Sequence, residues 1–174
     1  IFGLNQLAFS IYFIEENIHP KTKLIVVIPC YHEFFLSQTL QSLCQCVPIP
    51  VPVHILVVIN SPEECAASIV EQNDATFQEV EKLKEKGLPN NLAISCIKAY
   101  QLPKKHAGVG LARKIGMDQA ISWFNVLDNP YGIIVSLDAD CHVKPNYFEE
   151  IFNHFQNYPH LGGCHIYFEH PIED

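Results

Sequence analysis

The sequence predicts an α/β fold, a Rossmann-like three-layer sandwich in which helices cover both faces of a mostly parallel sheet. Three observations lead to this prediction. Short β-branched apolar runs alternate with longer segments whose apolar residues recur at helical spacing. Proline or glycine interrupts the chain between many of these segments, and no internal repeat or low-complexity tract breaks the alternation. Such an alternation favours parallel strands joined by helical crossovers.

The composition is that of a globular chain without attraction for polyanions. Its 174 residues are 48% hydrophobic and 17% charged, which is enough to bury a core in one domain. The net charge of −8 argues against nucleic acid as a partner. Seven cysteines without C-x-x-C spacing disfavour a zinc site and favour reduced thiols in a cytoplasmic protein.

Residues 1–22 are predicted to form a helical lead-in to the domain. The stretch IFGLNQLAFSIYFI (1–14) is apolar but too short to span a bilayer, and it lacks the basic region of a signal peptide. We expect an amphipathic helix lying on the domain, with these residues facing inward: Leu4, Leu7, Ala8, Ile11 and Ile14. A membrane-surface helix would need basic residues on its polar face, and this stretch has none.

The strands and helices of the domain follow from residue 23 onward. Buried strands are predicted at 23–30, 53–60, 92–100 and 132–137, with a last strand at 162–168. Helices are predicted through Leu36, Leu40 and Leu43, from Glu63 to about Lys86, near 110–126, and after Pro145. The proline-rich VPIPVP (47–52) is a connection that no helix could cross.

Polar side chains follow the carboxyl ends of four predicted strands. These ends carry PCYHE (29–33), Asn60, LPKKHAGVG (102–110) and Asp138-Ala139-Asp140. Ligands of open parallel sheets bind beyond the carboxyl ends of the strands. We therefore expect an aromatic ring, an acid, an amide, a basic cluster and a carboxylate pair to lie at one edge of the sheet.

Asp138 and Asp140 stand one residue apart directly after an apolar run. Like charges this close repel each other unless they stay solvated or share a cation. Their spacing directs both side chains to one side of an extended backbone. Oxygen ligands suit Mg²⁺ and Mn²⁺, which often take one or two carboxylates together with phosphate oxygens and water. The alternative is a polar turn, in which aspartate is also common.

Four stretches resemble the nucleotide-binding half of a family 2 glycosyltransferase with the GT-A fold. In order they are VVIPCYHE, ILVVINS, AGVGLARKIGMDQAI and GIIVSLDADCHVKPNYF. The resemblance implies that residues 23–174 form a nucleotide-sugar-binding GT-A domain. It also implies transfer of a sugar from a nucleotide-diphosphate donor, with a UDP-sugar favoured. The acceptor stays open, including an acceptor close to a membrane.

Three site residues follow from the resemblance at the diphosphate end. Asp138 and Asp140 match the D-x-D motif that holds Mn²⁺ or Mg²⁺ on the donor, and Asp138 would also contact the substrate. Such a metal stabilises the charge that gathers on the leaving nucleoside diphosphate. Arg113 matches an arginine of the family's helix, expected at a phosphate or in an ion pair.

The remaining substrate-binding residues are expected near the nucleoside. Pro29, Tyr31 and Glu33 match a stretch that the family places beside the base and ribose, although His32 replaces its usual asparagine. At the end of the second strand, Asn60 stands where the family usually has Asp-Asp-Gly-Ser. The amide of Asn60 can still pair with a base edge, but it selects uridine less strongly than an aspartate would.

The catalytic base is left unassigned. Inverting members of the family take it from a downstream acceptor-binding half, and Glu173-Asp174 imitates that acid but comes too early. The chain is then either the donor-binding part of a longer enzyme, membrane-associated through other regions, or an unusually short transferase. Two other classes stay open. One is a non-catalytic nucleotide-binding module, and the other is a D-x-D phosphatase, which would want Thr or Val where Cys141 stands.

Overall fold

Four parallel strands and four helices form the fold over residues 12–105 and 107–169, the part of the chain that this computed structural model describes. The strands are β1 Leu24–Cys30, β2 Val53–Pro62, β3 Leu92–Leu102 and β4 Ile133–Ser136. The helices are α1 Leu36–Cys44, α2 Ala67–Lys86, α3 Val109–Val126 and α4 Tyr147–Asn157. The sheet order is β3-β2-β1-β4, so the predicted α/β sandwich with a parallel sheet is confirmed.

The central strands are buried on both faces, which explains their nearly continuous β-branched sequences. β1 pairs with β2 from Leu24 opposite Val53 and with β4 from Leu24 opposite Ile133. Alternate residues of β1 then serve two cores. One core lies under α1, α2 and α4 and includes Leu24, Val26 and Ile28, whereas the other lies under α3 and includes Ile25 and Val27.

Helix α3 packs unusually close to the sheet because of Gly116. A methyl group added there would come within 2.4 Å of Val27 Cγ1 and 2.9 Å of Val58 Cγ2. Valine side chains are stiff at χ1 and could not move aside easily. The missing side chain of Gly116 thus lets α3 approach β1 and β2, and Arg113 stands about one turn before it on the same helix.

The predicted helix over 1–14 lies mostly outside the described residues, and from residue 13 to residue 19 the chain is not helical. Residues 13–19 have no regular secondary structure. Side chains instead hold their backbone. Ile14 N donates to Gln119 Oε1 at 2.9 Å, Gln119 Nε2 donates to Ile14 O at 3.4 Å, and Trp123 Nε1 donates to Glu16 O at 2.8 Å. Hydrogen bonds from α3 therefore satisfy backbone groups that a helix would have paired internally.

Two further predictions need correction. The predicted strand at 162–168 is wrong, because residues 163–169 are exposed and have no regular secondary structure. The long helix begins at Ala67 and not at Glu63, since β2 continues to Pro62, which pairs with Leu102, and Glu63 N donates to Leu102 O at 2.9 Å. None of the described helices combines the length and apolar character that crossing a membrane would require.

Candidate functional site

A cavity of about 320 Å³ opens where β1, β2 and β4 end and α3 begins. It is lined by Pro29, Cys30, Tyr31, Glu33, Asn60, Val109, Arg113, Asp138, Ala139 and Asp140. Every site residue nominated from the sequence is in this set. The basic cluster is not, since Lys104 and Lys105 lie outside the lining and His106 is not among the described residues. What the lining residues bind stays a prediction.

The side chains of the two aspartates point away from the core. Val135, Leu137 and Ala139 are buried, whereas Asp138 and Asp140 between and beyond them are exposed. This alternation continues the pleat of β4 past its last paired residue. Cys141 N donates to Asp138 O at 3.3 Å and closes a turn. The spacing of the motif thus presents both carboxylates to the cavity.

Hydroxyl groups on α1 hold this turn in place. Thr39 Oγ1 donates to Ala139 O at 2.7 Å in a buried hydrogen bond. Ser42 Oγ donates to Thr39 O at 2.8 Å and accepts from Val143 N at 3.3 Å. Sequence reasoning did not single out Thr39 or Ser42. The available signal was two hydroxyl residues between the leucines of an otherwise apolar helix face.

Arg113 gives the cavity its positive charge. Its Nη2 donates to Asp138 Oδ1 in an ion pair whose side chains remain partly exposed. Its Nε atom is buried and has no hydrogen-bond partner among the described residues. Since a buried donor without a partner costs about 1–3 kcal/mol, a ligand oxygen would be stabilised there. The carboxylates of Glu33, Asp138 and Asp140 outnumber Arg113 in the lining, so an anionic ligand would need a cation bound with it.

Asn60 lines the same cavity and carries an unsatisfied acceptor. The residue is 1% exposed, and its Oδ1 is buried without a hydrogen-bond partner in the part of the chain that the structure describes. Its main-chain oxygen accepts from Asn73 Nδ2 at 3.1 Å, so the backbone at this point is held from α2. A ligand N–H directed at Oδ1 would satisfy the orphaned oxygen.

The loop between β1 and α1 forms another wall of the cavity, through Tyr31 and Glu33. His32 has a φ of 49°, and its N–H donates to Asn73 Oδ1 at 2.9 Å. Glu33 Oε1 accepts from Phe34 N at 2.8 Å and from Phe35 N at 2.9 Å. One carboxylate oxygen of Glu33 therefore holds the two residues before α1, a helix that has no side-chain N-cap hydrogen bond. Tyr31 is 45% exposed and is not a core ring.

The donor set at the cavity fits a hard divalent cation only with help from a ligand. Among residues 12–105 and 107–169, no group of three or more His, Cys, Asp or Glu side chains could enclose a metal. Asp138 and Asp140 supply two carboxylates, as is usual where phosphate oxygens and water complete the coordination of Mg²⁺ or Mn²⁺. The residues present therefore fit a metal shared with a phosphorylated ligand.

The cysteines near the aspartates are poor competitors for such a metal. Burial, followed by the charges of Asp140 and Asp138, raises the pKa of the Cys141 thiol. Burial likewise raises the pKa of Cys30 to about 12, with a smaller contribution from Glu33. Both thiols stay protonated at neutral pH, and the thiolate is the form that binds metals. All seven cysteines are unpaired.

The architecture and the cavity define a fold class, the GT-A-like fold of glycosyltransferases. Solved structures that share this fold include those of S. aureus TarS, a glycosyltransferase. TarS 1-349 matches with a TM-score of 0.52 and 20% identity, over 79% of this chain and 33% of that chain. Its complex with UDP matches with a TM-score of 0.51 and 20% identity, over the same shares. Its complex with UDP-GlcNAc matches with a TM-score of 0.50 and 20% identity, over 79% and 32%.

These matches show the fold, and the chain spans about a third of the length of these TarS structures. No protein-family model and no curated protein sequence matches the chain. The GT-A fold expected from the four sequence stretches is confirmed.

Proposed function

We propose that this chain binds the donor of a glycosyltransferase that moves a sugar from a UDP-sugar to an acceptor. One observation carries the proposal. The paired carboxylates, the arginine and Asn60, whose buried amide oxygen is unsatisfied, line a single cavity at the carboxyl ends of β1, β2 and β4. The proposal is supported by TarS, which shares the fold and has been solved with UDP-GlcNAc and with UDP.

At the diphosphate end, we assign Asp138 and Asp140 to a Mn²⁺ or Mg²⁺ ion. When bound, this ion supplies Lewis-acid stabilisation of the negative charge on the leaving diphosphate. Arg113 adds a fixed positive charge from α3 to the same cavity. Because the chain as a whole carries −8, attraction of a diphosphate depends on these local charges.

At the nucleoside end, we assign Asn60 and Tyr31 to the base and Glu33 to the ribose. Asn60 Oδ1 lacks a partner and would accept from the N–H of a pyrimidine ring. The exposed ring of Tyr31 offers a stacking surface beside Pro29, and both residues line the cavity. The second oxygen of the Glu33 carboxylate can accept from a hydroxyl group, while the first accepts from Phe34 N and Phe35 N.

The finer assignments rest on the same reasoning. Membership of family 2 is proposed from the four sequence stretches and the shared fold. No described residue is assigned the role of catalytic base, and Glu173 and Asp174 lie outside the described residues. The acceptor, with its relation to any membrane, is likewise unassigned.

Calorimetric titration tests the proposal directly. The protein is titrated with UDP-GlcNAc, UDP-glucose and a GDP-sugar, each with Mn²⁺ and with EDTA. We expect at least one UDP-sugar to bind with Mn²⁺ and to lose affinity in EDTA. Absence of binding by every sugar nucleotide would overturn the proposal. Release of free sugar or UDP over time, measured in the same samples, separates an enzyme from a module that only binds.

A further inference from the structure

Asn73 lies on α2 and does not line the cavity, yet its side chain joins two of the cavity walls. The residue is 0% exposed. Its Oδ1 accepts from His32 N at 2.9 Å, in the loop after β1. Its Nδ2 donates to Asn60 O at 3.1 Å, near the end of β2. One buried amide thus connects the two segments just beyond the last pairing of β1 with β2, where Cys30 lies opposite Ile59.

The loop side of this connection holds a residue in an unusual conformation. His32 has a φ of 49°, in the left-handed region that residues other than glycine rarely adopt. The hydrogen bond to Asn73 Oδ1 satisfies its N–H in that conformation. The preceding helix residue, Gln72, donates from Nε2 to Glu33 O at 2.9 Å. Two consecutive residues of α2 therefore hold two consecutive residues of the loop, His32 and Glu33, directly after the cavity residue Tyr31.

The strand side of the connection lies where regular pairing breaks down. The register of β2 against β3 shifts between Asn60 and Pro62. At this irregularity the main-chain oxygen of Asn60 accepts from Asn73 Nδ2. The hydrogen bond holds the backbone of a cavity-lining residue whose buried side-chain oxygen is unsatisfied. The position of that acceptor therefore depends on α2 as well as on the sheet.

We propose that Asn73 is a positioning residue of the nucleotide site, which fixes the His32 loop and Asn60 relative to each other. This inference rests on the proposed function. An amide can accept and donate at once, whereas an ionised carboxylate only accepts and an aliphatic side chain does neither. Because binding sites held in their bound geometry lose less entropy on binding, loosening these walls should weaken nucleotide affinity.

Thr76 provides a matched control on the same helix. It is 3% exposed, and its Oγ1 donates to Gln72 O at 3.0 Å within α2, with no hydrogen bond from this side chain to the described residues of either cavity wall. Thr76→Val removes a buried hydrogen bond of α2 and keeps the side-chain shape. Asn73→Ala removes both links, and Asn73→Asp keeps the acceptor for His32 N while losing the donor to Asn60 O.

The test has a readout without ligand and one with UDP. Hydrogen exchange by NMR reports the His32 amide, and calorimetry with UDP and Mn²⁺ reports affinity. For Asn73→Ala we expect faster exchange at His32 and roughly tenfold weaker UDP binding, equivalent to the loss of one or two hydrogen bonds. Asn73→Asp should weaken UDP binding while His32 exchange stays slower than in Asn73→Ala. Thr76→Val should bind UDP as the wild type does.

The outcomes separate this inference from the proposed function. If the wild type binds UDP and both Asn73 variants bind UDP as tightly as the wild type does, the inference is overturned while the proposed function stands. Equal losses of affinity in Thr76→Val and Asn73→Ala also overturn it, because a general loosening of α2 would then explain the effect. Unchanged hydrogen exchange at His32 in Asn73→Ala overturns the inference, whether or not the wild type binds UDP. Failure of the wild type to bind UDP counts instead against the proposed function.

Discussion

Arg113 Nη2 donates to Asp138 Oδ1, so the first aspartate of the D-x-D motif has a cationic partner within the protein itself. The two residues are 25 positions apart and come together because α3 and β4 both pack against β1. A divalent cation at Asp138 would compete with Arg113 for the same carboxylate. A bound diphosphate would provide the negative charge that both cations need, so metal and nucleotide should bind interdependently.

Replacing Arg113 tests this competition. For Arg113→Ala we expect Mn²⁺ without nucleotide to bind at least as tightly as to the wild type, because Asp138 loses its competing partner. UDP affinity in Mn²⁺ should fall by about 1–3 kcal/mol, the usual loss for a charged hydrogen bond. Titrations of Mn²⁺ alone and of UDP with Mn²⁺ measure the two effects. A parallel loss of both affinities would contradict the competition.

Asp140 should be the more sensitive of the two aspartates to replacement. It has no ion-pair partner among the described residues, and it lines the cavity beside Asp138. We expect Asp140→Ala to abolish metal-dependent binding of a nucleotide sugar, measured by calorimetry with Mn²⁺ and with EDTA. The matched control is Glu85→Ala, which removes an exposed carboxylate from α2. Unchanged Mn²⁺-dependent affinity in Asp140→Ala would remove the metal site from the proposal.

Asn60 should make the site less selective for uridine than an aspartate would. An asparagine can donate as well as accept, so it pairs with either kind of base edge. We expect UDP to bind with Mn²⁺ but to be preferred over GDP by a modest factor. Asn60→Asp should increase that preference by about 1–3 kcal/mol, because a charged acceptor then meets the uracil N–H. Competitive titrations of UDP and GDP measure it. A wild-type preference on the order of a thousandfold would show that another residue reads the base.

The buried His54 should make folding stability depend on pH. Its Nε2 lies 2.8 Å from Ser95 Oγ, and its ring packs against Trp123 with centroids 4.9 Å apart. Burial lowers the pKa of His54 from 6.5 to about 4, helped by Lys84 and opposed by Glu16. Below pH 6.5 the unfolded chain takes up a proton that the folded chain refuses, so stability falls as the pH drops from 6.5 towards 4.

Urea unfolding at about pH 7.5 and about pH 5 should show this dependence, with His54 contributing roughly 2 kcal/mol of the loss. The comparison is His54→Phe, which keeps an aromatic ring beside Trp123 but cannot titrate. We expect its loss of unfolding free energy over the same interval to be smaller by that amount. Equal losses in both proteins would show that the pKa of His54 is the same in the folded and the unfolded chain, which contradicts the prediction.

The fold and the candidate site were largely readable from the sequence because their signals are local. β1 is a continuous apolar run, and the helix after Pro145 repeats apolar residues at helical spacing, so burial alone specifies each element. Parallel pairing then brings the carboxyl ends of these strands to one edge. The proximity of Asp138, Asp140, Asn60 and the loop after β1 can therefore be predicted without any knowledge of side-chain contacts.

What the sequence could not specify is how distant side chains satisfy the backbone. The apolar residues of 1–14 predict a helix, yet the backbone of Ile14 is paired by Gln119, 105 residues away. The apolar residues of 162–168 predict a strand, but these residues are exposed and have no regular secondary structure. Local periodicity shows which residues are apolar, but it does not show which hydrogen-bonding or packing partner lies close to them in the folded chain.

The sequence by itself determined the order of strands and helices and the identity of the charged and amide groups at the sheet edge. Only the tertiary structure decided which polar residues hold those groups in place. Thr39 reaches Ala139 across 100 residues, and Asn73 reaches His32 across 41. A hydrogen bond depends on distance and direction between groups that the chain brings together only on folding, so neither link leaves a periodic signal in the sequence.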